Sequence, residues 1–89
     1  MKGDLTMLDF NKHFIPLVNE LEKREIPFNI KSCSDGLKIV FDDGSDVALN
    51  SGTYGHEDGL LEGYNGAFKT PYDDVTGHMT CAEVMEIFS

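Results

Sequence analysis

Few side chains in this chain could do chemistry, and their spacing limits what that chemistry could be. Cys33, Cys81, His56 and His78 are possible zinc ligands. There is no Cys-x-x-Cys and no His pair three to five residues apart, so nothing local nucleates a metal site. Ser51 with His56 and Asp58, or Cys81 with His78, would supply a nucleophile and a base. Neither set lies in a nucleophile elbow or another context that orients one on the other. Cys81 falls in the first turn of an expected helix, where the helix dipole could lower a thiol pKa; the plainer role is a small buried apolar residue.

Two loops invite a ligand and then fail the test. In Asp42-Asp43-Gly44-Ser45-Asp46 a calcium loop begun at Asp42 would need an oxygen ligand where Gly44 stands and a Glu where Thr53 stands, so the stretch reads as a β-turn. The run from Gly52 to Gly59 is rich in glycine, but it lacks the Lys-Ser/Thr of a phosphate loop and carries Glu57 and Asp58 where a phosphate would sit. No catalytic residue, metal or cofactor is expected, and the chain is not expected to be an enzyme.

Charge is more informative. Residues 1–41 hold six acids and six bases, whereas residues 42–89 hold ten acids against Lys69, so the second part carries the whole net charge of −9. Such a field repels nucleic acid and anionic membrane and steers a basic partner inward. Among these acids stand Tyr54, Tyr64, Phe68 and Tyr72, aromatics suited to a protein-binding surface unless they complete the core.

These residues must be positioned by a single domain, since 89 residues supply one core. Met7, Phe10, Phe14, Leu17, Val18 and Leu21 recur at spacings of three and four, predicting an amphipathic helix from Thr6 to Glu25, kinked at Pro16 and ended by Pro27. Alternating stretches at Phe28–Lys31, Leu37–Phe41 and Val47–Leu49, split by Ser34-Asp35-Gly36 and Asp42-Asp43-Gly44-Ser45, predict an antiparallel meander. A fourth strand is placed over Leu60–Tyr64 and a loop over Asn65–Gly77. Thr80-Cys81-Ala82-Glu83 has capping-box form, with Met79 and Val84 at the staple positions, and opens a short C-terminal helix. The expected fold is therefore α+β, with three to four antiparallel strands packed on an N-terminal and a C-terminal helix.

The segment Gly52-Thr53-Tyr54-Gly55-His56-Glu57-Asp58-Gly59-Leu60-Leu61-Glu62, together with Thr80-Cys81-Ala82-Glu83 and the helix end Glu25-Ile26-Pro27-Phe28, resembles small acidic proteins of bacteriophages and prophages. Thr53 stands where the resemblance has Ser, and Cys81 interrupts its final capping box. The resemblance implies an accessory phage protein that binds and blocks a host protein, and by analogy a DNA mimic or an anti-CRISPR-like inhibitor.

The functional expectation is a non-enzymatic, protein-binding module that engages a basic surface of a host protein. Its binding residues would be Asp42, Asp43, Asp46, Tyr54, Glu57, Asp58, Tyr72, Asp73 and Asp74, with no direct contact to nucleic acid or membrane. The alternatives are a small metal- or ligand-binding protein using His56, Glu57, Asp58 and His78, or a structural, homo-oligomeric protein, such as a homodimer, that buries its remaining aromatics against a copy of itself. Met1-Lys2-Gly3-Asp4-Leu5 lacks the apolar run of a signal peptide, no stretch approaches a membrane span, and two cysteines fit reduced thiols. The expected location is the cytoplasm, the host's if the gene is a phage's.

Overall fold

A computed structural model describes residues 8–69, 71 and 75–88. The expected start at Thr6 and Met7, and the site candidates Tyr72, Asp73 and Asp74, lie outside the described residues. The elements are α1 (Phe14–Lys23), β1 (Phe28–Cys33), β2 (Gly36–Phe41), β3 (Asp46–Leu49), β4 (Leu61–Tyr64), β5 (Val75–Met79) and α2 (Cys81–Phe88), with single 3-10 turns at His56–Asp58 and Gly66–Phe68.

The α+β class holds, with five strands rather than three to four. They form one antiparallel sheet in the order β1-β2-β3-β4-β5, each strand beside its neighbour in sequence. The fifth strand occupies part of the stretch read as a loop from Asn65 to Gly77. Its residues, Val-Thr-Gly-His-Met, carry no clean alternation, because the register shifts between Leu61 and Gly63 of β4 and His78 takes a left-handed φ of 56°.

Pro16 does not kink a long helix. Helix α1 begins at Phe14, so Pro16 is its third residue, where a backbone N–H has no intrahelical acceptor to lose. Phe10 and residues 11–13 form a turn that feeds the helix, with the Ile15 N–H donating to the Phe10 carbonyl at 2.8 Å.

Alternation along the strands gives the sheet two unlike faces. Ile39, Phe41, Val47, Leu49, Leu61 and Met79 point to the helices and are buried with Phe14, Leu17, Leu21, Val84 and Met85. Phe68 closes the core from the 3-10 turn, and Phe88 stacks on Phe41 with ring centroids 4.3 Å apart. The other face carries Lys38, Val40, Asp46, Ala48, Glu62 and Tyr64, as the paired registers require. At α2 the capping box forms as expected: the Glu83 N–H donates to Thr80 Oγ1 at 3.2 Å and the Thr80 N–H to Glu83 Oε1 at 2.9 Å. Across the helices, the Cys81 N–H donates to His13 Nδ1 at 3.2 Å, tying the start of α2 to the residue before α1.

Candidate functional site

The meander sorts its connections to two ends of the sheet. At one end lie the β2–β3 turn and the 3-10 turn at Gly66–Phe68, joined by the Ala67 N–H donating to Ser45 Oγ at 2.8 Å. At the other lie the Ser34-Asp35 turn, residues 50–60 and the start of α2, the first two joined by the Ser51 N–H donating to Asp35 Oδ1 at 2.9 Å. The expected binding acids are divided accordingly. Asp42, Asp43 and Asp46 stand at the first end, and Tyr54, Glu57 and Asp58 at the second, separated by roughly 15–20 Å of strand.

At the first end Asp42 and Asp43 are exposed, and Asp43 spends an oxygen on its own turn: its Oδ1 accepts the Ser45 N–H at 2.9 Å. That bond, with a further one from the Ser45 hydroxyl, holds the Asp43 carboxyl below the usual range. Asp46 lies on the face away from the helices, its side chain mostly buried beside Lys38, with 3.7 Å between Nζ and Oδ2.

The second end is more constructed. Asn50 and Thr53 lock the loop from within: Thr53 Oγ1 donates to the Asn50 carbonyl at 2.9 Å and accepts the Asn50 N–H at 3.2 Å, and Thr53 is buried. Gly55 and Gly59, both left-handed, bracket the 3-10 turn that exposes Glu57 and Asp58. Asp35 lies below the ordinary carboxyl range because the Ser51 backbone N–H and hydroxyl bond to it.

Tyr54 is the centre of this loop. Its residue is 65% exposed, yet it is held at three points. The Tyr54 N–H donates to Glu62 Oε2 at 3.2 Å, its carbonyl accepts the His78 N–H at 3.4 Å, and its ring lies nearly parallel to the His78 imidazole with centroids 6.1 Å apart. Gly77 permits this approach, since a methyl group there would come within 2.8 Å of the Tyr54 Cβ. Glu62 is itself buried, 3% exposed, and its second oxygen accepts the Tyr64 hydroxyl. Burial, then the neighbouring Glu62 carboxylate, pushes the Tyr64 phenol up from its usual value.

The four aromatics picked out in the sequence thus separate. Tyr54 is exposed, Tyr64 is half-buried, Phe68 belongs to the core and Tyr72 lies outside the described residues. Glu62 was not among the expected site residues, although it anchors the one aromatic that is presented.

The histidine and cysteine candidates each have a contact outside those sets. His56 Nδ1 contacts the Thr53 carbonyl at 2.7 Å, a pairing that requires the proton on that nitrogen. His78 lies against Tyr54, and Cys81 meets His13 through its backbone. Burial and, less strongly, Glu20 raise the Cys81 thiol pKa, the reverse of what the helix dipole alone would do. Among the described residues, no three His, Cys, Asp or Glu side chains gather as a metal-binding group. A groove between α1 and α2, lined by His13, Glu20, Arg24, Cys81, Met85 and Glu86, contains Cys81 but none of the expected binding residues. Among the described residues no helix is long and apolar enough to cross a membrane.

Comparison with protein-family models, with curated proteins and with solved structures finds no match.

Proposed function

We propose that this chain is a non-enzymatic binding module that presents residues 50–60, with Tyr54 at the centre, to a basic surface of another protein. The observation that carries this reading is Tyr54 itself, two-thirds exposed and fixed by Glu62, Gly77 and His78. An aromatic ring already held in one place loses little entropy on binding, which is what a binding anchor requires. Exposed Glu57 and Asp58 on the same loop give the charge that selects a basic partner. The resemblance to phage proteins supports a host protein as that partner, while the division of the acids between two ends gives no support to mimicry of DNA, which needs one continuous acidic face. The split of Asp42, Asp43 and Asp46 from the Tyr54 loop favours the loop as the contact over a single continuous acidic face.

The test is capture from host lysate by the wild type and by Tyr54→Ala, each at low and high salt. A specific partner should be retained by the wild type, released as salt rises, and lost with Tyr54→Ala while the fold persists by circular dichroism. Equal capture by both proteins, or binding indifferent to salt, would overturn the reading.

A further inference from the structure

The sheet has two outer edges, and the chain treats them differently. The β5 edge is interrupted by a register shift and by left-handed His78, whose N–H is taken by the Tyr54 carbonyl. These are the usual ways of blunting an edge. Strand β1 has neither device: it is six residues long, pairs with β2 in unbroken register from Phe28–Phe41 to Cys33–Gly36, and is exposed from Asn29 to Ser32. Among the described residues, no strand pairs with its outer side.

The direction of its free groups follows from the ladder. The Phe41 N–H donates to the Ser45 carbonyl, on the β3 side of β2. By alternation Val40, Lys38 and Gly36 turn toward β1, so their partners Asn29, Lys31 and Cys33 spend their backbone groups inside the sheet. The N–H and C=O groups of Phe28, Ile30 and Ser32 therefore point outward. Ile30 is 46% exposed beside a groove lined by Glu22, Glu25, Ile26 and Pro27.

We propose that β1 is an interface with a second copy of this chain, paired antiparallel about a two-fold axis at Ile30. In this register Ile30 meets Ile30 of the copy, Phe28 meets Ser32 and Asn29 meets Lys31. The three outward residues of each chain then exchange hydrogen bonds, and the helices of both copies stay on one side of a continuous ten-stranded sheet. Charge fits this register. Lys31, on the face away from the helices with its neighbour Lys38, then stands opposite Asn29 of the copy, so no like charges meet directly. Sliding by one residue pair would instead put Lys31 directly opposite its own copy. The interface also lies in the charge-balanced part of the chain, away from the acids that would keep two copies apart.

The experiment is sedimentation of the full chain over a range of concentrations, paired with amide hydrogen exchange. The wild type should reach twice the 9.9 kDa monomer mass, with the Phe28, Ile30 and Ser32 amides becoming protected as the dimer fills. Ile30→Pro removes only an outward N–H and leaves the β1–β2 bonds, so it should stay folded and monomeric. Should that variant fail to fold, exchange in the wild type decides alone. A monomer at every concentration with those amides unprotected would overturn the proposal. So would a dimer that survives Ile30→Pro, or a monomer with those amides protected, which would put another segment on the edge.

Discussion

Glu62 shows what a single residue does here. A buried carboxylate is costly unless its oxygens are satisfied, and both are: one by the Tyr54 amide, one by the Tyr64 hydroxyl. Glu62→Ala leaves two donors short of an acceptor and should cost about 2–4 kcal/mol in chemical denaturation, with faster exchange at the Tyr54 amide. Glu62→Gln, which keeps an acceptor, should cost less. Tyr64 adds a pH dependence. Its folded pKa is raised, so its contribution is present below the unfolded value near 10 and is lost as pH rises beyond it. Melting temperature should accordingly fall in alkali, and less steeply for Tyr64→Phe. Asp35 and Asp43 act at the other extreme: their carboxyls are lowered, so their contribution holds above the unfolded value of 3.8 and fades as pH drops through the folded ones. Tyr54 could be picked out in the sequence as an aromatic among acids and glycines. Glu62 could not, because in Leu60-Leu61-Glu62-Gly63 it reads as the solvent-facing member of a strand. Its burial is created by residues 50–60 folding back, a tertiary event that strand alternation does not encode.

At the scale of elements, local chemistry was most legible where it was most complete. The Thr80–Glu83 box opens α2 as its spacing dictates, and Thr80→Ala should cost about 1 kcal/mol in thermal unfolding. The first strands were also evident, since their apolar residues alternate and their turns use Asp, Ser and Gly. Two readings failed for opposite reasons. The 3.6-residue period ran on through Phe10 and Phe14, but residues 10–13 are a turn in which Phe10 packs without forming a helix, as the edge-on contact of the Phe10 and Phe14 rings shows. In β5 a strand was missed because a bulge destroys alternation. A close approach is equally invisible in sequence: at Gly36 a methyl group would stand 1.9 Å from the Leu49 carbonyl oxygen. Gly36→Ala should therefore force β2 and β3 apart and lower the melting temperature more than Thr80→Ala does, since backbone cannot yield as a side chain can.

Across the whole molecule, the net charge of −9 is carried by a body with a radius of gyration of 12.6 Å. Like charges at that density oppose compaction, so melting temperature should rise as salt is raised to about 0.5 M, where the screening length falls to about 4 Å. No rise would mean that local pairs such as Lys38–Asp46 already offset the repulsion. The strand order places this charge at two ends, something the count of acids alone could never disclose.

The bond between the Cys81 amide and His13 joins positions 68 residues apart. Every strand pairing, by contrast, is between neighbours in sequence. The sheet can therefore assemble by successive short closures, while the meeting of the two helices closes a far longer stretch of chain for less contact than any strand pairing makes. Opening should run in reverse. The C-terminal helix is the piece placed to detach while the sheet stays whole, baring Phe41 and Phe68 where Phe88 had covered them. The fold thus has a seam, and aggregation on heating should begin there.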